Sequence, residues 1–128
     1  MPVWGVTPSI RVRDTKASVA FYAEKLGFEI RRQADDNSAL VRGDANIMIE
    51  GPLDFYSPEY NAAIRERMGA LSANAFYMEA KDLDELYARV LASGLKVMDP
   101  LAARAWGQSE FTVEDPEGNW VTFWRAPA

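Results

Sequence analysis

The stretch FYMEAKDLDELYARVLASG, residues 76–94, decides the fold, because residues 10–27, IRVRDTKASVAFYAEKLG, repeat its plan. Each opens with apolar residues two apart, Phe76 and Met78 or Ile10 and Val12, the period of a strand with one buried side. Each then reaches an aspartate that reads as a helix start. Asp82 has Glu85 three residues on, an aspartate-led variant of the capping box, and Asp14 stands at the same place in the other copy. Apolar residues follow at helical spacing: Leu83, Leu86, Tyr87, Val90 and Leu91 in one copy, Val19, Tyr22, Ala23 and Leu26 in the other. Both helices stop at a glycine, Gly94 and Gly27, twelve and thirteen residues past the aspartate.

Strand-like runs broken by turn residues come after each helix. They are Phe28–Arg32, Ala39–Arg42 and Ala45–Glu50 in the first half, and Leu95–Met98, Gln108–Glu114 and Asn119–Arg125 in the second. Asp35-Asp36-Asn37, Gly43-Asp44 and Asp115-Pro116-Glu117-Gly118-Asn119 punctuate them, the last a structural turn. The predicted fold class is therefore α+β: two β-α-β-β-β modules whose curved, mostly antiparallel sheets carry helices on their outer face. Module 1 spans about residues 3–56 and module 2 about 70–128, joined by a connector helix over about 57–69 that begins at Ser57-Pro58-Glu59 and stops at Gly69. Neither module has enough sequence to cover its sheet alone, so residues 1–128 are expected to form a single domain.

The composition narrows the chemistry. The 128 residues contain no cysteine and no histidine, which excludes disulfides, thiolate metal sites, cysteine nucleophiles and imidazole bases. The net charge of −5 argues against nucleic acid as a partner. No apolar run is long enough to span a membrane, and the first residues lack a signal peptide's basic and apolar regions, so the expected location is the cytoplasm.

Strand parity sorts the side chains into two faces. Ile10, Val12, Ile47, Ile49, Phe76, Met78, Phe111, Val113, Val121 and Phe123 form an apolar set that belongs under the helices. Thr7, Ser9, Arg11, Asn46, Met48, Glu50, Ala75, Tyr77, Glu79, Trp106, Gln108, Glu110, Thr112, Trp120, Thr122 and Trp124 share the other face. Three of the four tryptophans fall on this polar side, which points to a ligand cleft rather than a solvated sheet.

The chain resembles the vicinal-oxygen-chelate superfamily of glyoxalases, extradiol dioxygenases and bleomycin-resistance proteins. The resemblance is carried by Val12-Arg13-Asp14, Phe21-Tyr22, Leu26-Gly27-Phe28, Asp82 through Tyr87, Trp106-Gly107 through Phe111, and the turn Asp115–Asn119. It implies paired β-α-β-β-β modules assembled as a homodimer with two clefts. Metal-dependent members carry ligands on the first and last strands of each module, and the corresponding positions here are Thr7, Met48, Ala75 and Thr122. None is a carboxylate or imidazole, so no metal and no cofactor is expected. The segment Trp106–Phe111 and the acidic balance look most like the bleomycin-resistance branch, whose dimers sequester a cationic, planar-armed glycopeptide unaltered. The expected partners are a small-molecule ligand and a second copy of the chain.

The expected ligand-binding residues are Trp106, Met48, Glu50, Tyr77, Gln108, Trp120, Thr122 and Trp124. Trp106 is read either as a ring that stacks on the ligand or as an anchor for the proline- and alanine-rich loop before it. Trp120 and Trp124 suit a cleft wall or a dimer interface, and Trp4 a dimer contact or core edge. Phe55-Tyr56 with Tyr60 would cap the cleft or pack the linker. The alternative function is a superfamily enzyme, a lyase, isomerase or dioxygenase, using carboxylates such as Glu50 and Glu79 as a buried acid–base pair or an unusual metal site. The bland reading of these two acids is solvated strand-face carboxylates or partners of Arg11.

Overall fold

The computed structural model describes residues 6–51, 57–68 and 75–127. Trp4, Phe55, Tyr56 and Gly69 lie outside the described residues. The chain divides into two compact units, Met1–Ala70 and Leu71–Ala128, and each repeats the same strand plan.

In the first unit, β1 (Ser9–Arg11), β2 (Glu29–Gln33), β3 (Asn37–Arg42) and β4 (Ala45–Glu50) form a sheet of order β1-β4-β3-β2. β1 runs parallel to β4, and the other two pairings are antiparallel. Asp14 caps α1 (Thr15–Ala20), its Oδ1 accepting from the Ala17 N–H at 3.0 Å. The helix does not run regularly to Gly27. Residues Phe21–Lys25 form a wider π-helical turn, closed where the Leu26 N–H donates to the Phe21 carbonyl at 3.3 Å. This turn accompanies the burial of two consecutive rings, Phe21 and Tyr22, packed edge-on 5.2 Å apart, with Phe28 edge-on to Tyr22 at 5.8 Å. Beneath lie Ile10, Val12, Leu40, Ile47 and Ile49, all buried. The connector is α2 (Pro58–Arg67), started by Ser57, whose hydroxyl accepts from the Tyr60 N–H.

The second unit contains β5 (Ala75–Glu79), β6 (Val97–Ala103), β7 (Ser109–Glu114) and β8 (Trp120–Arg125), in the order β5-β8-β7-β6 with β5 parallel to β8. Helix α3 (Leu83–Ala92) buries Leu83, Leu86 and Val90. Tyr87 meets Phe111 at 4.9 Å and Phe111 meets Phe123 at 5.4 Å between ring centres. Each fully buried side chain of this size stabilises the fold by roughly 1.5–3 kcal/mol. Of the ten residues in the apolar parity set, eight are buried, and Phe76 and Met78 are half-buried.

Two local expectations are corrected. Asp82 is the residue before α3, but at φ −93° and ψ 40° it is outside the extended region that aims a capping side chain, and its carboxylate makes no cap hydrogen bond. The stretch before Trp106 is not a loop, since β6 continues through Pro100 to Ala103. As the edge strand, β6 tolerates a residue without an N–H, and its register shifts on either side of Asp99.

Candidate functional site

The two polar faces differ in how their charges are used. In the first unit Glu50 is only 4% exposed. Register places Arg11 and Asn37 on either side of it, from β1 and β3. Its carboxylate accepts from the Ser9 hydroxyl and, at 2.9 Å, from the Asn37 side-chain amide, with Arg11 Nε 3.8 Å away. Arg11 extends the chain of contacts to α2, donating to the Tyr60 hydroxyl at 3.2 Å with its guanidinium 5.8 Å from the ring centre. Glu50 thus meets the expected Arg11 partner within a satisfied internal cluster. Met48, half-buried, is the Ser9 neighbour in the same sheet.

In the second unit the registers build a three-by-three grid across β5, β8 and β7. Its rows are Ala75–Trp120–Glu114, Tyr77–Thr122–Thr112 and Glu79–Trp124–Glu110. Tyr77 is 63% and Trp120 45% exposed, while Trp124 is half-buried. Aromatic rings therefore alternate with carboxylates on one sheet face. The turn from Asp115 to Asn119 sets the β7–β8 register. Asp115 Oδ1 accepts from the Glu117 N–H at 3.0 Å and the Asn119 N–H at 2.8 Å, and Gly118 supplies the positive φ of +87°. Its role is structural, as expected.

The three acids of the grid have different partners. Glu114 accepts from the Trp120 indole N–H at 3.0 Å and lies 3.4 Å from Lys96 Nζ, so it orients the Trp120 ring. Glu110 is buried, and Gln108 and Arg104 occupy its two oxygens. Glu79 is exposed and has no hydrogen bond or ion pair among the described residues. An exposed Glu79 does not form the buried carboxylate pair that acid–base chemistry would use. Sequence reasoning put Glu110 on this face without singling it out and missed Arg104, which lies in the turn beyond β6. The alternation Gln108–Glu110 was a usable signal for the first, and nothing in the pattern marked the second.

Trp106 sits in the β6–β7 turn and is 67% exposed, which does not match a ring buried as a loop anchor. The positions that the resemblance assigns to metal ligands fit no divalent ion. Thr7 and Met48 offer a hydroxyl and a thioether, and the buried Thr122 hydroxyl is bonded to that of Thr112 at 2.8 Å. Among the described residues no three carboxylates converge on a point that could hold a metal. A separate hollow of about 150 Å³, lined by Thr15, Lys16, Gln33, Ala34 and Asp35, lies in the first unit and is small for a ligand pocket.

These modules place the chain in a known class. The family model of the Glyoxalase/Bleomycin resistance protein/Dioxygenase superfamily matches residues 6–123, and the chain belongs to that superfamily. A bleomycin resistance protein of Geobacillus stearothermophilus is 28% identical over 126 residues, covering 92% of this chain and 93% of the relative. The fold also matches the bleomycin-binding protein of bleomycin-producing Streptomyces verticillus, solved in complex with copper(II)-bleomycin. That likeness has a TM-score of 0.66 at 24% identity and covers 100% of this chain and 98% of the other. Lactoylglutathione lyase from Agrobacterium tumefaciens shares the fold as well, with a TM-score of 0.72 at 21% identity over 98% of this chain and 96% of that one. Among the described residues no helix is long and apolar enough to cross a membrane.

Proposed function

We propose that this chain is a metal-free binding protein that sequesters a planar, cationic small molecule and releases it unchanged. The polar face of the second unit carries the reading, because Tyr77, Trp120 and Trp124 alternate there with acids of which Glu79 has no partner among the described residues. Exposed rings stack on flat ligands, and a nearby exposed carboxylate favours those with positive charge. Trp106, Gln108 and Thr122 complete the proposed wall. The protein acts as a cytoplasmic homodimer, in which a second copy closes the cleft over rings that one chain leaves exposed.

The relatives that bind or resist bleomycin make that glycopeptide the probe to use first. Purified protein is titrated with metal-free and copper(II)-bleomycin while tryptophan emission is followed, and the ligand is then recovered for mass spectrometry. Saturable quenching with intact ligand is expected. No binding of bleomycin or of other flat cations, or chemical conversion of the bound ligand, would overturn the reading.

A further inference from the structure

We propose that Arg104 is a specificity-determining residue of this face, a resident cation that competes with the ligand's cation for Glu110. The inference rests on the proposed binding of cations by the second unit. Arg104 is held by the turn in which its own N–H donates to the Gln108 carbonyl at 2.8 Å and its carbonyl accepts from the Gly107 N–H at 2.9 Å. Gly107 makes this reversal possible, with a φ of +102° that side chains rarely adopt. From there the Arg104 side chain, 19% exposed, serves two acids. One guanidinium nitrogen bonds Asp99, whose side chain is 53% exposed, and Nε lies 3.5 Å from Glu110 Oε1. The other Glu110 oxygen accepts from Gln108 Nε2 at 3.0 Å.

The two contacts are unequal. Asp99 keeps the closer, hydrogen-bonded contact, whereas the Glu110 contact is a longer ion pair to a side chain only 10% exposed. A buried carboxylate is costly to leave unpaired, so a charge partner must always be present. In the free protein Arg104 is that partner. An ammonium or amidinium group on a ligand stacked against Trp124, the register neighbour of Glu110, takes over Oε1 while Arg104 stays with Asp99. The displaced contact is the longer of the two, and Glu110 is paired before and after. The price is repulsion between the incoming cation and the retained guanidinium, which lowers the affinity for cations relative to neutral flat ligands. Neutral flat ligands feel none of this.

The test compares wild type with Arg104→Gln, Glu110→Gln and the double variant, each first shown to be folded by near-ultraviolet circular dichroism. One arm needs no ligand: quenching of tryptophan emission by caesium and by iodide reports the local potential around the rings. Arg104→Gln is expected to raise caesium quenching about twofold to threefold and to lower iodide quenching. Because the competition is for Glu110, the caesium gain should vanish in the double variant. In the second arm Arg104→Gln should bind bleomycin about tenfold more tightly. Unchanged caesium quenching in Arg104→Gln, or a gain that persists in the double variant, would overturn the inference. Should Arg104→Gln fail to fold, Glu110→Gln decides alone: caesium quenching must fall about twofold, and no change overturns the proposal. Absence of bleomycin binding in wild type would count against the proposed function, while the quenching arm still decides the role of Arg104.

Discussion

Replacing Trp106 by Ala separates a ligand-stacking ring from a structural one, because the two roles move different measurements. The side chain is 67% exposed, so about a third of it is covered by the chain. A third of a roughly 250 Å² ring system is about 80 Å², which at 25 cal/mol per Å² puts the lost stability at no more than ~2 kcal/mol. Phe111, fully buried, provides the internal standard, since Phe111→Ala is expected to lose about 3–5 kcal/mol. If Trp106 stacks on the ligand, Trp106→Ala should weaken bleomycin binding by roughly 1–3 kcal/mol, about tenfold to a hundredfold in Kd. Trp106→Phe keeps a ring and should retain much of that affinity. Chemical denaturation and fluorescence titration of the four proteins measure both quantities. A Trp106→Ala protein that binds as wild type does, or that loses as much stability as Phe111→Ala, would refute the reasoning.

Glu79→Gln should weaken bleomycin about threefold to tenfold at low salt, with the gap narrowing at 0.5 M salt, since the lost contact is exposed and screened; equal affinities at both salts would exclude Glu79 as the cation's partner. Light scattering at micromolar concentration should return the mass of two chains, and a monomer would remove the second copy from the proposed cleft. A chelator should leave the unfolding midpoint unchanged, whereas near one zinc, nickel, iron or manganese per chain by elemental analysis would contradict the donor set. Asp14→Ala should cost about 1 kcal/mol through loss of the cap on the Ala17 N–H, and a change of only a few tenths would show that the cap contributes little.

Much of the fold was legible because it is written twice. Ile10 and Val12 alternate as Phe76 and Met78 do, and in each copy the helix that follows runs between an aspartate and a glycine. Periods of two and 3.6 residues persist through most of the packing, so most strands, the helix starts and the apolar face could be read from spacing. What spacing could not show were choices made by neighbours. The π-helical turn at Phe21–Lys25 accompanies the burial of two adjacent rings, which no periodic template contains. β6 passes through Pro100 because it is an edge strand, and edge position is a property of the sheet rather than of the segment. Asp82 and Asp14 look alike as sequence, yet only Asp14 has the backbone geometry that lets its side chain cap the helix.

The candidate site was legible to a different depth. Parity placed Glu50, Glu79, Glu110, Trp120 and Trp124 on polar faces, but parity assigns a direction and not a partner. Whether an acid can attract a ligand depends on whether the chain already neutralises it, and the partners come from other strands or from turns. Glu50 meets Ser9 from β1 and Asn37 from β3, Glu110 meets Arg104 from beyond β6, and Glu114 meets the Trp120 indole across the hairpin. Equal carboxylates in the sequence thus become unequal in the fold: one locked, one balanced by a cation, one orienting a ring, and Glu79 left without such a bond among the described residues. For a protein whose proposed task is to hold a cation, selectivity follows from that unequal neutralisation and not from the number of acids. A charge already satisfied by Ser9, Asn37 and Arg11 adds little to binding, whereas one without a partner among the described residues keeps more of its attraction, reduced by solvent and salt. On the same logic Arg104, a residue with no motif around it, is proposed to control affinity through Glu110.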